Sequence, residues 1–269
     1  MNTNPAGPAN STTPPQDAGG GQAVASPSEP LPFESTSQLP TDSVHSSNAF
    51  AASSAVAKLV VIRPDGSEGA TIPMHEGELI IGRSSEHEAL AGDPFLSPQH
   101  ASIKIRDSKF MINDLDSLNG IFYRIRGECE LVSGDNIRMG QELLVFELMS
   151  EVPLLHEHAE GDDAETLGGG SPDVGYWGRL SLISGPDLVS RAFTFSEDEV
   201  TLGRERGDIL FRDDGFVSGV HARLMKVDSQ VLLKDLGSSN GTYVRIRKER
   251  ELEDGDLILM GQQLFRLVA

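Results

Sequence analysis

The chain has 269 residues, a formal net charge of −19 and a single cysteine, Cys129. One cysteine excludes an intramolecular disulfide and a thiolate metal cluster, and no apolar run approaches the roughly 18 residues of a membrane span. The acidic charge argues against nucleic acid as a partner, because nucleic-acid binders present a basic face. We therefore expect a cytoplasmic protein with no metal, no cofactor, no nucleic-acid partner and no membrane partner.

Residues 1–57 are rich in Pro, Ser, Thr, Ala and Gly, with four acidic side chains and no basic one. A segment of this composition cannot bury enough apolar surface to offset the entropy that it loses on ordering. We predict a disordered tail over residues 1–57.

From residue 58 onward, short apolar runs alternate with turn signals, and no segment of helical length has the periodicity of a helix. The runs include 59–62, 79–81, 101–105 and 143–146 in the first half, and 180–183, 193–195 and 231–233 in the second. Gly-Asp pairs at 134–135 and 255–256 predict tight turns before late strands. This pattern predicts an all-β chain that forms β-sandwiches.

Three motifs occur twice in the same order, and each second occurrence lies 121 positions after the first. They are Gly82-Arg83 and Gly203-Arg204, Ser97-x-x-His100 and Ser218-x-x-His221, and Asn119-Gly120 and Asn240-Gly241. The alignment needs no gap, which predicts a duplicated domain over residues 58–150 and 176–269, each repeat with its own core. Residues 151–175 carry seven acidic side chains and no basic one, and we predict a flexible linker that leaves the two domains free to orient.

The repeated residue types complement a phosphorylated side chain. Its phosphate carries about −1.5 to −2 charges and three acceptor oxygens, so an arginine fork and a serine hydroxyl suit it as donors. An asparagine amide both donates and accepts, and can hold the backbone of an extended peptide. The predicted ligand-binding residues are therefore Arg204, Ser218 and Asn240 in the second repeat and Arg83, Ser97 and Asn119 in the first.

The three motifs resemble those of the forkhead-associated (FHA) domain, a reader of phosphothreonine peptides. The resemblance implies a non-catalytic adaptor that binds threonine-phosphorylated proteins or peptides, and hence a Ser/Thr kinase or its substrates, in kinase signalling. It implies that Ser239 joins the ligand-binding residues. It also implies structural support from the remaining motif residues, which are Gly82, His100, Gly120, Gly203, His221 and Gly241.

The first repeat departs from this pattern. Leu118, Asp116 and Ile121 stand where the second repeat has Ser239, Gly237 and Thr242, and Pro98 removes a backbone donor beside Ser97. Residues 84–94 also lack the strand pattern of residues 208–211. We therefore expect the second repeat to bind phosphothreonine more tightly than the first.

Two alternative functions remain open. Residues Gly237–Gly241 match the G-x-S-x-G nucleophile elbow of hydrolases, with His221 and Asp235 nearby, although a strand is predicted where the elbow requires a helix. The repeats can instead serve as phosphate-independent scaffold or dimerisation modules. The basic residues at 245, 247, 248 and 250 are interpreted as the solvated face of a strand.

Two threonines are candidate phosphosites, because Thr36 and Thr166 follow acidic residues in segments predicted to be flexible. A phosphorylated threonine tethered to its own domain reaches an effective concentration in about the millimolar range. An intramolecular phosphorylated tail would then compete with external partners.

Overall fold

The computed structural model describes residues 54–152, 174–186 and 188–269. Most of the predicted tail and linker, including Thr36 and Thr166, lies outside these residues. The strands of the first repeat are β1 (Ala57–Ile62), β2 (Glu68–Met74), β3 (Gly77–Ile81), β4 (Ala101–Arg106), β5 (Lys109–Asp114), β6 (Ile121–Arg124), β7 (Glu128–Leu131), β8 (Asn136–Met139) and β9 (Glu142–Leu148). Those of the second repeat are β10 (Gly178–Gly185), β11 (Leu188–Phe195), β12 (Glu199–Gly203), β13 (Ile209–Leu210), β14 (Ala222–Val227), β15 (Gln230–Asp235), β16 (Thr242–Arg245), β17 (Arg250–Leu252), β18 (Leu257–Met260) and β19 (Gln263–Val268). The described helices are α1 (Glu88–Ala91) and a 3-10 turn (Met149–Glu151), and neither is long and apolar enough to cross a membrane.

The strands form where apolar and polar side chains alternate. In β4, Ile103 and Ile105 are buried while Lys104 between them is exposed, as expected of a strand with one face on a core. Gly134, with a φ of 91°, allows the tight turn before β8. The segment of the first repeat that is equivalent to β13 forms α1 instead, in agreement with its different sequence pattern. The all-β prediction is confirmed.

Each β-sandwich is built from both repeats. The first sandwich has one sheet of order β2-β1-β19-β18-β6 and another of order β3-β4-β5-β17. The second sandwich has sheets of order β11-β10-β9-β8-β16 and β13-β12-β14-β15-β7. The C-terminal segments of the repeats, β7–β9 and β17–β19, have therefore changed places, and each completes the sandwich of the other repeat. We call them the exchanged segments.

The exchange follows an approximate two-fold symmetry within the single chain. The equivalent strands β6 and β16 pair antiparallel, with Tyr123 opposite Val244. Because these two residues are separated by the repeat offset of 121 positions, the two-fold axis passes through this pair. The pairing of β1 with β19 has the same register as that of β10 with β9. The β6–β16 contact also joins one sheet of each sandwich into a continuous sheet of ten strands.

Two hydrophobic cores hold the exchanged segments in place. Phe265 of the second repeat is fully buried in the first sandwich, and Phe146 of the first repeat is fully buried in the second. Tyr123 packs against both cores. Burying a phenylalanine side chain contributes about 1.5–3 kcal/mol, so the repeats cannot separate without exposing both cores. The expectation that each repeat has its own core and orients freely is therefore wrong, and the sequence ranges 58–150 and 176–269 do not delimit the sandwiches.

The chain crosses between the sandwiches at two short connections, of three residues after β6 and four after β16. The N–H of Ile125 donates to the carbonyl of Thr242 at 3.0 Å, and the N–H of Ile246 donates to the carbonyl of Ile121 at 2.8 Å. The backbone therefore continues along the β6–β16 ladder and does not turn back. Ile125 is buried in the second core and Ile246 in the first. Short connections of this kind favour the exchange of segments.

The exchanged segments are also very similar to each other. From positions 124–143 and 245–264, thirteen of twenty residue pairs are identical, compared with 31 of 91 over the whole alignment of the repeats. The buried positions Ile137 and Met139 of β8 recur as Ile258 and Met260 of β18. Either segment thus offers nearly the same side chains to either core.

Charged side chains add contacts between the repeats. Arg247 donates to both carboxylate oxygens of Asp135, and the equivalent pair of Arg126 and Asp256 has an Nη2–Oδ1 distance of 2.7 Å. The guanidinium of Arg250 lies 3.6 Å from the centre of the Tyr123 ring, a cation–π contact. Arg247, Lys248 and Arg250 are exposed, as expected of a solvated face, but the arginines of this cluster also contact the first repeat.

Candidate functional site

The motif residues of the first repeat lie in three loops at one end of the first sandwich. Arg83 follows β3, Ser97 lies in the loop before β4, and Asn119 lies two residues before β6. Arg83 and Asn119 are exposed and Ser97 is half-buried. All three loops come from the same repeat, so the exchange leaves the site in one piece.

Backbone hydrogen bonds hold the arginine loop against the serine loop. The N–H of Arg83 donates to the carbonyl of Ser97 at 3.0 Å, and the N–H of Ser84 donates to that of Pro98 at 3.1 Å. The two loops approach so closely that a Cβ at Gly82 would collide with the Pro98 carbonyl. A glycine is therefore needed directly before the arginine.

A buried histidine ties the serine loop to the asparagine loop. The Nδ1 atom of His100 accepts the N–H of Ser97 at 3.0 Å, and its Nε2 atom donates to the carbonyl of Gly120 at 3.0 Å. The ring is fully buried. Because one nitrogen accepts and the other donates, the imidazole is neutral. His100 therefore positions the loops and does not itself face a ligand.

The three predicted ligand-binding side chains present donors from these loops. Ser97 Oγ accepts the N–H of Leu118 at 3.2 Å, which leaves its hydroxyl hydrogen available for another acceptor. Asn119 Nδ2 donates to the carbonyl of Phe95 at 2.8 Å, which fixes the amide beside the serine loop. The guanidinium of Arg83 makes no hydrogen bond or ion pair with another described residue and is open to solvent.

The second site repeats this geometry. The N–H of Ser218 donates to His221 Nδ1 at 2.9 Å, and the N–H of Ser239 donates to Ser218 Oγ at 3.1 Å. Asn240 Nδ2 donates to the carbonyl of Phe216 at 2.8 Å. Burial lowers the pKa of His221 below its ordinary value, so this ring too is neutral at neutral pH.

Comparison with known proteins agrees with this geometry. The family model described as the FHA domain matches residues 79–140 and 200–261, which include every motif residue of both repeats. The oxoglutarate dehydrogenase inhibitor of Corynebacterium diphtheriae is 36% identical over 119 residues, which are 43% of this chain and 80% of that protein. The chain belongs to the FHA-domain family.

Other FHA-domain proteins match shorter parts of the chain. The FHA domain-containing protein FhaB of Mycobacterium tuberculosis is 36% identical over 66 residues, 24% of this chain and 43% of FhaB. Among solved structures, Mycobacterium tuberculosis EmbR in complex with a low-affinity phosphopeptide is 32% identical, covering 29% of this chain and 21% of EmbR with a TM-score of 0.20.

The asparagine loops of the two FHA sites differ in their internal hydrogen bonds. In the second site, the Asp235 carboxylate accepts the N–H groups of Gly237 and Ser238 and the hydroxyls of Ser238 and Thr242. Burial raises the pKa of Asp235, but these hydrogen bonds outweigh it, and the pKa is lower than its ordinary value. The ionised carboxylate thus braces this loop.

The asparagine loop of the first FHA site is less strongly braced. Asp114 accepts the N–H of Ser117 at 2.8 Å, but Ile121 replaces the threonine and has no hydroxyl to donate. Asp116 replaces the glycine and has a φ of 54°, in the left-handed region that residues with a Cβ adopt at some cost. These two substitutions therefore act on the loop rather than on the three predicted ligand-binding residues.

The arginine is more available in the first FHA site than in the second, whereas the asparagine loop is better braced in the second. Arg204 forms an ion pair with its neighbour Glu205, with an Nη2–Oε1 distance of 2.9 Å. The hydrogen bond from Arg204 lowers the pKa of Glu205, so the carboxylate remains ionised at neutral pH. In the first site, Ser84 occupies the equivalent position. A phosphate that enters the second site therefore competes with Glu205 for the guanidinium of Arg204.

Sequence reasoning missed two aspartates that connect each FHA site to an exchanged segment. Asp93 accepts the N–H of Phe95 at 2.8 Å and the N–H of Gln262 at 2.9 Å. Asp214 makes the equivalent bonds in the second site, at 2.8 and 2.6 Å. Because the carbonyl of Phe95 holds Asn119, each site depends on a segment from the other repeat. The signal was present, since Asp93 and Asp214 also lie 121 positions apart.

The hydrolase interpretation of Gly237–Gly241 does not fit the arrangement of these residues. The strand β16 follows the motif, where a nucleophile elbow requires a helix. His221 contacts backbone groups through both ring nitrogens, and Asp235 bonds to the loop rather than to the histidine. Across the described part of the chain, no cluster of three or more His, Cys, Asp or Glu side chains is placed to hold a metal ion.

Proposed function

We propose that the chain binds threonine-phosphorylated proteins through its two FHA sites and acts as an adaptor in Ser/Thr kinase signalling. The observation that carries this proposal is the loop cluster that occurs twice. In each copy an arginine, a serine hydroxyl and an asparagine amide are held together by backbone hydrogen bonds and a buried histidine. These donors suit the charge and the three acceptor oxygens of a phosphothreonine.

Each ligand-binding side chain has a distinct part in this proposal. The arginine supplies a planar fork with a permanent charge, which can contact two phosphate oxygens at once. The serine hydroxyl contacts a third oxygen. The asparagine, held by its Nδ2 atom, still has a carbonyl oxygen and a second N–H with which to bind the backbone of the peptide. Ser239 lies between the serine and asparagine of the second site, where its hydroxyl can add a further donor.

The relative from Corynebacterium diphtheriae supports a role through protein contacts rather than catalysis. It is named as an inhibitor of oxoglutarate dehydrogenase, and this chain covers 80% of it. An inhibitor of an enzyme acts by binding, which is the mode of action that we assign to this chain. The relative's target is not carried over, because the match extends over 43% of this chain.

Fluorescence anisotropy with a library of phosphothreonine peptides tests the proposal. A hydrogen bond to a charged group is worth about 1.5–3 kcal/mol, so Arg83→Ala and Arg204→Ala are each expected to weaken binding at their own site at least about tenfold. Arg106→Ala is the control, because it removes an exposed arginine from the far end of β4. It should bind like the parent chain.

The same assay distinguishes phosphothreonine binding from the alternative function of a phosphate-independent scaffold. Binding that persists in the chain carrying both arginine substitutions, or after phosphatase treatment of the peptides, would identify a phosphate-independent scaffold. Loss of binding in both conditions supports the phosphate-reading function.

A further inference from the structure

The two FHA sites lie at opposite ends of one pair of strands. Asn119 precedes β6 by two residues, and Asn240 precedes β16 by two residues. These strands are antiparallel neighbours, so their N-terminal ends lie at opposite ends of the pair. The hydrogen bonds from the two buried histidines attach the serine loops to the same ends. The approximate two-fold axis between Tyr123 and Val244 therefore relates one complete site to the other.

The register of these strands sets the distance between the sites. Asn119 is four residues before Tyr123, Asn240 is four residues before Val244, and these two residues are opposite each other. At about 3.3 Å per residue, the two asparagines are separated by up to roughly 26 Å along the strands. Two phosphothreonines on one extended segment would have to be about eight residues apart to cover the full roughly 26 Å.

This separation is fixed by packing and not by the linker. Both sites are attached to the ten-stranded sheet that spans the two sandwiches. Tyr123, at the centre of the pair, packs against both cores. Asp93 and Asp214 bind each site to the exchanged segment of the other repeat. Freely orienting domains would be able to turn both sites toward one ligand, whereas these sites keep facing opposite ends.

We propose that the chain is a rigid two-ended bridge, which joins two separate threonine-phosphorylated polypeptides and does not grip two closely spaced phosphothreonines on one polypeptide. This inference rests on the proposed phosphothreonine binding. The sites also bind independently, because their separation exceeds the screening length of about 8 Å at physiological ionic strength. Occupation of one site by a phosphate therefore has little electrostatic effect on the other.

Light scattering of full-length complexes tests the bridge. The probe for the first site is the library peptide that binds the Arg204→Ala chain most tightly, and the probe for the second site is the one that binds the Arg83→Ala chain most tightly. Each probe peptide is fused to maltose-binding protein as a carrier. We expect two carrier proteins per parent chain and one per single-arginine variant. One carrier at saturation, when the unfused peptides bind at two per chain, would overturn the bridge because the sites would then be too close to serve two partners.

The stoichiometry of the unfused peptides separates the two proposals. One unfused peptide per chain would also overturn the bridge, since one end would then be inactive, while phosphothreonine binding would stand. No binding of any library peptide would refute the proposed function itself.

A peptide with two phosphothreonines about six residues apart provides a second test. A bridge is expected to bind it with a per-site affinity within about twofold of that of the singly phosphorylated peptide, and to form assemblies that contain more than one protein chain. Simultaneous binding of one peptide to both sites would raise the affinity by about 100-fold or more. A one-to-one complex with such a gain would overturn the bridge.

Discussion

The two FHA sites contain the same three predicted ligand-binding residues in different surroundings. In the second site the Asp235 network braces the asparagine loop, but Arg204 is paired with Glu205. In the first site Arg83 makes no such ion pair, but Ile121 has removed a hydrogen bond from the loop. The completeness of a sequence motif and the availability of its arginine are therefore separate properties.

These two differences have opposite effects on binding. An exposed ion pair such as that of Glu205 contributes little, because water screens it, and a phosphate is a stronger partner for the arginine. The hydrogen bonds around Asp235, by contrast, persist when a ligand binds. We therefore still expect the second site to bind more tightly, as its fuller motif predicts.

The largest expected effect tests which sandwich supports which site. Phe265 belongs to the second repeat but is fully buried in the first sandwich. Phe265→Ala is expected to lower the free energy of unfolding of that sandwich by about 3–5 kcal/mol. Binding at the Arg83 site should be lost while the Arg204 site is retained. Site-specific peptides and hydrogen exchange over residues 77–114 measure the two effects.

Phe146→Ala is the matched control, because Phe146 belongs to the first repeat and is fully buried in the second sandwich. It should damage the Arg204 site and spare the Arg83 site. If Phe265→Ala instead increased hydrogen exchange over residues 199–235, the C-terminal segments would not be exchanged.

A second substitution tests the bracing of the asparagine loop. Thr242 is fully buried, and its hydroxyl donates to Asp235 at 2.7 Å. Thr242→Val keeps the shape but removes this bond, at an expected cost of about 1 kcal/mol. Binding at the second site should weaken by about fivefold in anisotropy titrations. Thr194→Val, on the exposed side of β11, should have no effect; equal affinities for the two variants would show that the bond is not needed.

A third pair of substitutions exchanges the residues beside the arginines. Glu205→Ser gives the second site the residue of the first, and should strengthen phosphothreonine binding by about two- to fivefold. Ser84→Glu makes the reverse change and should weaken the first site by a similar factor. Both effects should shrink at high salt, because screening weakens exposed charges. A weaker second site after Glu205→Ser would mean that the carboxylate positions Arg204 for binding.

The smallest expected effect concerns pH. Burial lowers the pKa of His221, so between the unfolded value of about 6.5 and the lower folded value the unfolded chain binds more protons. The contribution of His221 to stability is therefore complete above about pH 6.5 and decreases as the pH falls through this window. An NMR titration of the His221 ring should give a midpoint below 6.5. A midpoint above that value would contradict the effect of burial.

The sequence was sufficient to predict the strands, the turns and the grouping of the motif arginine, serine and asparagine in each repeat. These features depend on local patterns, such as the alternation in β4 and the constant offset of the motifs. The exchange could not be predicted in the same way, because Ile137 and Met139 recur as Ile258 and Met260. Since both segments offer the same core residues, their patterns do not reveal which core each one fills.

Of the two features that the sequence did not reveal, the exchange left a weak signal and the ion pair left none. The connection after β16, residues 246–249, contains no glycine, proline, asparagine or aspartate to turn the chain back on itself. The ion pair of Arg204 and Glu205 involves adjacent residues, but its formation depends on side-chain rotamers that a sequence pattern does not specify.

The pairing of β1 with β19 also determines the order in which the molecule can be completed during synthesis. Lys58 and Val268, which face each other in this pair, are separated by 210 positions. At about 5–20 residues per second, roughly 10–40 s pass between the two reaching the end of the ribosome tunnel. The first sandwich thus waits longest for its final strands, β17–β19. Pairing between such distant positions slows folding. A chain cut before residue 250 would lose the binding site that was synthesised first.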